Sequence, residues 1–175
     1  MKGWAILSHG LESGPQATKV SALAEVATSL GWQALRPDYR DLDTRGLADA
    51  AAPRLQRLLD AIDAVPVGQR VVLAGSSFGS FVSGLAACDR AIAAAYLLAT
   101  PLHLPGYPRP FALPAGMPVA MLHGWDDELC PVADVLAFAQ HARCTLTLVA
   151  DSHRLERHVD VAARQFGQLL EQASA

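Results

Sequence analysis

Cysteines are few in this sequence, and no two of them have the spacing of metal ligands. Cys88, Cys130 and Cys144 make an odd number of thiols. A disulfide-stabilised secreted domain or a zinc site would need paired cysteines at regular spacing. We therefore expect three reduced thiols, as is usual for a cytoplasmic protein.

Clustered positive charge and long apolar runs are also lacking. The formal net charge is −3, and lysine and arginine form no cluster, so we expect no nucleic-acid partner. No apolar run approaches the roughly 20 residues that cross a bilayer. An apolar strand begins as early as residue 4, which leaves no room for a signal peptide. We therefore expect a cytoplasmic protein with no membrane partner.

The composition is that of a globular protein. The chain has 175 residues, of which 51% are hydrophobic and 18% are charged. This is enough to bury a sizeable core, but it is too short to argue for two domains. We predict a single domain over residues 1–175.

Short apolar runs typical of buried strands alternate with amphipathic stretches along the whole chain. The predicted strands are residues 4–7, 33–36, 70–74, 93–99, 118–123 and 145–149. The predicted helices have apolar residues at three- and four-residue spacing over 20–30, 55–62, 78–85, 132–139 and 155–170. Repeated strand–helix units pair their strands in parallel, because each strand needs a crossover. We expect a three-layer α/β/α sandwich with about six mostly parallel strands.

One segment, residues 100–117, interrupts this alternation. It contains five prolines, whose missing N–H groups disfavour a helix or a central strand. Two interpretations are open: a stiff connecting loop, or a small cap over the strand ends. In the second interpretation, the residues that contact substrate are Leu102, Leu104, Tyr107 and Phe111.

The third predicted strand runs into Gly-Ser-Ser-Phe-Gly at residues 75–79 and then into a helical stretch. A Gly-x-Ser-x-Gly motif in this position is typical of a nucleophile elbow, whose sharp turn strains the backbone of the serine and exposes its hydroxyl. Ser77, but not Ser76, has glycine two residues before and after it. A side chain at Gly75 or Gly79 would collide with the strand or the helix. The alternative interpretation is an ordinary Gly/Ser turn.

Three of the predicted strands are followed by a serine, an acid and a histidine, in that order. Ser77 follows the third strand, the acidic run 126–128 follows the fifth, and His153 follows the sixth. A serine hydroxyl becomes a nucleophile when a histidine takes its proton. An acid that hydrogen-bonds to the other ring nitrogen of the histidine holds the ring in the correct tautomer. We therefore predict a catalytic triad of Ser77, Asp127 and His153. Asp126 and Glu128 are the rival acids.

An oxyanion that forms during this reaction needs preorganised donors. We assign this role to the backbone N–H groups of Phe78 and Leu11. Leu11 follows Ser8-His9-Gly10 at the end of the first strand, where Gly10 would let the backbone approach the site closely.

Several other side chains near the strand ends also have structural interpretations. His9 and His123 head their loops and are expected to hydrogen-bond those turns, and His158 is expected at the surface of the last helix. Residues 38–40 either line the pocket or form an Asp–Arg pair or a turn cap. Glu12 either faces the pocket or is solvated. The residues predicted to line the substrate pocket are Glu12, Tyr39, Leu102, Tyr107 and Trp125.

The chain resembles the α/β-hydrolases, of the small single-domain type similar to dienelactone-hydrolase-like esterases. The matching segments are Ser-His-Gly-Leu at 8–11, Gly-Ser-Ser-Phe-Gly at 75–79, His-Gly-Trp-Asp-Asp-Glu-Leu-Cys-Pro at 123–131 and Asp-Ser-His-Arg-Leu at 151–155. The resemblance implies a minimal α/β-hydrolase core with Asp127 as the triad acid. Dienelactone hydrolases use a cysteine nucleophile where this chain has Ser77, so their substrate does not follow from the resemblance.

These observations predict a carboxylesterase-like serine hydrolase. It would cleave small carboxylic esters or thioesters through an acyl-Ser77 intermediate, with no cofactor and no metal. Peptidase, lipase and perhydrolase chemistry on the same residues stays open, because a fold does not specify a substrate. The alternative from another class is a catalytically silent scaffold for protein interaction.

Overall fold

The fold is built on one six-stranded sheet, seen in a computed structural model that describes residues 2–174. The strand order is β2-β1-β3-β4-β5-β6, and every pair is parallel. The strands are β1 (Trp4–Ser8), β2 (Gln33–Leu35), β3 (Val71–Ser76), β4 (Ala94–Leu98), β5 (Val119–Gly124) and β6 (Thr145–Val149). This sheet, flanked by helices, confirms the predicted fold class.

Within residues 2–174, six α-helices connect or follow the strands. They are α1 (Thr18–Ser29), α2 (Arg40–Asp43), α3 (Leu47–Asp63), α4 (Phe78–Asp89), α5 (Val132–Ala142) and α6 (Val159–Ser174). The sequence did not indicate α2, because four residues are too few to show a helical repeat. The last helix was predicted from residue 155, but Leu155 has φ 52° in the left-handed region and a 3₁₀ turn (Glu156–His158) precedes α6.

Two apolar clusters cover the two faces of the sheet. One joins the sheet to α3 and α4, with Leu73, Phe81 and Leu97 among its members. The other joins the sheet to α1 and α6, with Val72 and Tyr96 among its members. Every residue of β3 and β4 is buried, which explains why these strands read as continuous apolar runs.

The Pro-rich segment contains neither helix nor strand between residues 99 and 118, as its prolines predict. It nevertheless packs against the core. The Phe111 ring packs against the rings of Phe81 and Phe138 and lies where Gly84 has no side chain, since a Cβ there would come within 2.2 Å of Phe111. Leu104 is also buried, so two anchors tie the segment to the domain.

Two further observations concern the whole described chain. Over residues 2–174, Cys88, Cys130 and Cys144 are free thiols. No helix within the same range combines the length and the apolar character needed to cross a bilayer.

Candidate active site

The Gly-Ser-Ser-Phe-Gly motif forms a sharp turn between β3 and α4. Ser77 has φ 54° and ψ −119°, a backbone conformation that costs free energy in a residue other than glycine. A Cβ at Gly75 would lie 2.4 Å from the Gly79 carbonyl, and one at Gly79 would lie 2.1 Å from the Ser8 oxygen. Both glycine predictions and the predicted strain at Ser77 are confirmed.

The three predicted triad residues form one hydrogen-bonded chain. His153 Nε2 lies 2.8 Å from Ser77 Oγ, and His153 Nδ1 lies 2.9 Å and 3.0 Å from the two carboxylate oxygens of Asp127. An ionised carboxylate only accepts hydrogen bonds, so Nδ1 carries the ring proton. Nε2 is then the free acceptor that faces the serine hydroxyl.

The Asp127 carboxylate is buried but remains the ionised partner. Burial raises its pKa, but hydrogen bonds from the His153 ring and from the backbone N–H groups of Cys130 and Leu129 outweigh that effect, so the pKa is below the ordinary value. A carboxylate with several donors stays charged at neutral pH. The negative charge therefore faces the imidazole where an imidazolium would need it.

The two rival acids do not reach the ring of His153. Asp126 is exposed. Glu128 accepts a hydrogen bond from the His153 backbone N–H at 3.2 Å, but it does not contact the imidazole. His123 Nε2 donates to the Cys130 carbonyl at 2.8 Å, which is the turn-holding role expected from the sequence.

A second Asp–His pair holds the loop that carries His153. Asp151 accepts hydrogen bonds from the His158 ring at 2.9 Å, from the Arg157 N–H at 2.9 Å and from the Ser152 N–H at 2.8 Å. The prediction of His158 as a surface residue of the last helix was therefore wrong. His158 ends the 3₁₀ turn, and its side chain is only 25% exposed. No periodicity distinguishes this pair, because both partners lie outside regular elements.

The loop after β1 is held by side chains from two other segments. His9 Nε2 accepts the Tyr39 N–H at 3.0 Å, and His9 Nδ1 lies 2.8 Å from the Gly10 carbonyl. Arg54 of α3 is fully buried and donates to the His9 and Gly10 carbonyls. Arg54 was not predicted from the sequence. Its burial could have been inferred from its position in α3, because it lies four residues before the buried Leu58 and therefore on the same face of the helix.

A cavity of about 790 Å³ opens beside Ser77. Its lining includes Leu11, Glu12, Val20, Ser77, Phe78, Leu104, Leu129 and His153. Lys19 also lines it and donates to the Arg154 carbonyl, and burial lowers the pKa of Lys19. A second cavity of about 900 Å³ lies between residues 111–120, α5 and α6, on a part of the surface that includes none of the three predicted triad residues.

Of the five residues predicted to line the pocket, only Glu12 does so. Tyr39 is fully buried, and its hydroxyl lies 3.0 Å from Ser8 Oγ. Leu102 and Tyr107 pack instead against the core cluster. Trp125 is exposed outside the cavity lining. The structure therefore places these four side chains outside the lining of the cavity beside Ser77, because a place at a strand end or in a neighbouring loop does not specify the direction of a side chain.

The neighbours of Tyr39 follow the structural interpretation. Asp38 pairs with Arg40 through a 2.6 Å contact, and this hydrogen bonding lowers the pKa of Asp38 to about 2. The pair is exposed at the surface. It therefore does not belong to the cavity.

Asp127, Cys130 and His153 lie close enough together to be considered as metal ligands, with ligand atoms within 4.8 Å of one another. Burial and the neighbouring carboxylates, however, raise the pKa of the Cys130 thiol to about 12. A metal binds the thiolate rather than the thiol, and Asp127 and His153 already bind each other. The set fits a hydrogen-bonded relay better than a metal centre.

Comparison with known proteins gives matches over nearly the whole chain. Residues 2–174 match the model of a family described as an alpha/beta hydrolase domain. A crystal structure from Xanthomonas campestris pv. campestris, assigned to the hydrolases of the alpha/beta superfamily, is 44% identical. The match covers 97% of this chain and 99% of that one, with a TM-score of 0.91. No curated protein matches the sequence significantly.

More distant structures share the fold. Est1E from Butyrivibrio proteoclasticus is 18% identical, with a TM-score of 0.77 over 98% of this chain and 88% of its own, and it has been solved with ferulic acid bound. A lidless α/β serine hydrolase from Xanthomonas campestris is 17% identical, with a TM-score of 0.74 over 96% of this chain and 81% of its own. At these identities the likeness establishes the fold alone.

Proposed function

This chain belongs to the alpha/beta hydrolase family, and from that premise we propose that it is a serine hydrolase acting on carboxylic esters or thioesters of modest size. The observation that carries the proposal is the continuous relay from Ser77 Oγ through His153 to Asp127, with contacts of 2.8 Å and 2.9 Å. Each contact has the length of a hydrogen bond. The first joins the two atoms between which the proton would move, and the second joins the imidazole to the carboxylate that would stabilise its charged form.

In the proposed reaction, Ser77 Oγ attacks the acyl carbon while His153 Nε2 takes the hydroxyl proton. Asp127 stabilises the imidazolium that forms on His153. The same nitrogen then returns the proton to the leaving alcohol or thiol, which leaves an acyl-Ser77 intermediate. Water hydrolyses this intermediate by the same steps, with His153 again as the base.

The oxyanion of each tetrahedral intermediate would be held by the backbone N–H groups of Phe78 and Leu11. Phe78 is the first residue of α4, so its N–H has no carbonyl partner within the helix. The positive end of the α4 dipole also points to this position. Leu11 lies in the loop after β1. This loop passes close to Ser77, since a Cβ added at Gly10 would lie 3.6 Å from Ser77 Cβ.

The cavity supports a small substrate with an apolar acyl part. Val20, Leu104 and Leu129 provide apolar lining, whereas Glu12 and Lys19 place opposite charges in the same lining. Leu104 belongs to the Pro-rich segment and is buried, so we assign residues 101–105 to a fixed wall of the site within a single domain. Ferulic acid in Est1E is consistent with esters of this size, and a dienelactone-hydrolase-like esterase remains our subfamily assignment.

A fluorophosphonate probe tests the nucleophile directly. We expect the probe to label the wild-type protein at Ser77, as located by peptide mass spectrometry, and Ser77→Ala to abolish labelling. Ser76→Ala, the adjacent serine, should still be labelled. Undiminished labelling of Ser77→Ala would overturn the assignment, and an unlabelled, inactive wild type would favour the silent scaffold.

Turnover of p-nitrophenyl esters of increasing acyl length then reports the depth of the cavity. Ser77→Ala and His153→Ala should each lower kcat by about 10⁶-fold, and the double variant should be no worse, following the subtilisin precedent for residues that act as a unit. Additive losses would show that the two side chains act independently.

A further inference from the structure

The guanidinium of Arg54 lies directly beneath the loop that follows β1. Its Nη1 donates to the His9 carbonyl at 2.8 Å, and its Nη2 donates to the Gly10 carbonyl at 3.1 Å. Its other hydrogen bonds go to the Asp43 carboxylate, at 2.7 Å and 2.6 Å. Arg54 is 0% exposed, and a charge so completely buried is tolerated only when it is paired and hydrogen-bonded.

The Gly10 carbonyl receives a second hydrogen bond from His9. The Tyr39 N–H donates to His9 Nε2, so that nitrogen carries a lone pair and the ring proton is on Nδ1. Nδ1 therefore donates to the Gly10 oxygen at 2.8 Å. Burial lowers the pKa of His9, in keeping with a neutral ring in this tautomer. Two buried donors thus converge on one carbonyl.

The Gly10 carbonyl and the Leu11 N–H belong to the same peptide unit. That unit is planar and trans, so its C=O and N–H point in opposite directions. Gly10 and Leu11 line the cavity beside Ser77, whereas Arg54 lies outside the lining. Fixing the carbonyl toward the buried guanidinium therefore fixes the Leu11 N–H toward the cavity.

The same guanidinium also packs against the side chain of Phe78, the residue whose backbone N–H is the second proposed oxyanion donor. Its central carbon lies 4.4 Å from the centroid of the Phe78 ring and 4.6 Å from that of Tyr39. A planar guanidinium can stack between two rings and donate in its own plane to several acceptors, whereas the lysine ammonium lacks this fork of donors. Arg54 is therefore suited to hold Gly10 and Phe78 in one arrangement.

We propose that Arg54, paired with Asp43, is a positioning residue that orients the Leu11 N–H toward the oxyanion. This inference rests on the proposed serine hydrolase function. Arg54 touches neither Ser77 nor the cavity, and acts through the Gly10–Leu11 peptide. An oxyanion donor matters most in the transition state, so the effect of Arg54 should fall on kcat rather than on KM.

The test compares Arg54→Lys with a double variant, Asp43→Leu together with Arg54→Met. The double variant leaves no unpaired buried charge, so its fold does not depend on the ion pair. Arg57→Met is the matched control. Arg57 is a neighbouring arginine of α3 that pairs with Asp41 and donates to the Asp38 carbonyl. It does not contact the loop after β1.

Hydrolysis of p-nitrophenyl acetate by the folded variants gives the first readout. We expect kcat to fall by about 10²-fold in Arg54→Lys and in the double variant, near the loss measured when one oxyanion donor is removed. KM and the pH midpoint of kcat/KM should stay at the wild-type values, because the Ser77–His153 pair is intact. Arg57→Met should retain the wild-type kcat.

Inhibition by a trifluoromethyl ketone gives the second readout. Ser77 adds to this ketone to form a hemiketal with an oxyanion. In the Arg54 variants, the inhibition constant of the ketone should therefore rise by the same factor by which kcat/KM falls. A purely structural role would lower stability without this parallel. Folded variants with wild-type kcat and inhibition would overturn the role of Arg54 while leaving the hydrolase intact. An inactive wild-type protein would instead refute the proposed function.

Discussion

Replacing Asp127 by asparagine should invert the tautomer of His153. In the wild type, the carboxylate accepts a hydrogen bond from Nδ1–H, which leaves Nε2 without a proton and 2.8 Å from Ser77 Oγ. In the wild type, Asp127 Oδ1 accepts hydrogen bonds from the Leu129 and Cys130 N–H groups at 2.9 Å and 2.8 Å. The side-chain oxygen of asparagine can accept the same two hydrogen bonds. Its NH₂ group then faces Nδ1 and donates to it. The ring proton moves to Nε2, where the imidazole can no longer act as a base.

The expected loss follows from this inversion. The same substitution in a serine protease triad lowers kcat by about 10⁴-fold, which corresponds to about 5 kcal/mol of transition-state stabilisation. Because both backbone hydrogen bonds survive, Asp127→Asn should unfold at a temperature close to that of the wild type. Turnover of a p-nitrophenyl ester, thermal unfolding and ¹⁵N NMR of the His153 ring measure the rate, the stability and the tautomer separately.

Asp126→Asn is the matched control, since it makes the same chemical change at the adjacent exposed residue. It should retain nearly all activity. The reasoning fails if Asp126→Asn loses more activity than Asp127→Asn. It also fails if Asp127→Asn stays within about tenfold of the wild type while its NMR spectrum shows the inverted tautomer, since tautomer inversion is worth about 10⁴-fold in the precedent.

Two further predictions concern stability. Gly79→Ala should lower the free energy of unfolding by about 3 kcal/mol or more in urea titrations, because its Cβ would lie 2.1 Å from the backbone oxygen of Ser8. Gly167→Ala on α6, where the nearest neighbour is the Val26 side chain at 3.3 Å, should change the free energy of unfolding by no more than about 1 kcal/mol, and equal losses in both would contradict the argument. Burial raises the pKa of Asp151, but hydrogen bonds from the His158 ring and two backbone N–H groups lower it overall. Since the folded pKa lies below the unfolded value of about 3.9, the Asp151 carboxylate contributes its full stabilisation above about pH 5 and loses it as the pH falls through the folded pKa. Asp151→Asn should therefore lower Tm at pH 7 and lower it less at pH 3, whereas Asp126→Asn, at an exposed acid outside any helix, should change Tm little at either pH. A pH-independent loss in Asp151→Asn would refute the linkage.

Local pattern was sufficient to predict the sheet and the elbow. The continuous apolar runs over β3 and β4 indicated strands buried on both faces, and both are fully buried. The glycines at 75 and 79 indicated a tight crossing, and the 2.4 Å and 2.1 Å clashes of an added Cβ agree. These features are short-range: each depends on residues within one turn or one strand and on a repeat that any such element must have.

Which acid would face His153 was decided by long-range contacts. Three consecutive acids follow β5, and the strand-end pattern that predicted Asp127 does not by itself distinguish it from its two neighbours. In the structure, the Trp125 N–H donates to the Val149 carbonyl and the Asp126 N–H donates to the Asp151 carbonyl. These bonds to β6 and the loop after it set the rotation of the loop after β5. The middle acid is thereby directed inward to the imidazole, while Asp126 and Glu128 remain exposed.

The sequence by itself determined the order of the strands and of the longer helices, the position of the strained turn at Ser77 and the edge of the sheet where polar side chains gather. Only the tertiary structure decided that Tyr39 is buried away from the cavity, that His158 pairs with Asp151, and that Arg54 lies under the loop after β1. The physical reason is the range of the forces involved. Helix and strand periodicity follow from local backbone geometry. The direction of a loop side chain, or the burial of one arginine on a helix, depends on partners that are distant in sequence and come together only when the sheet has formed.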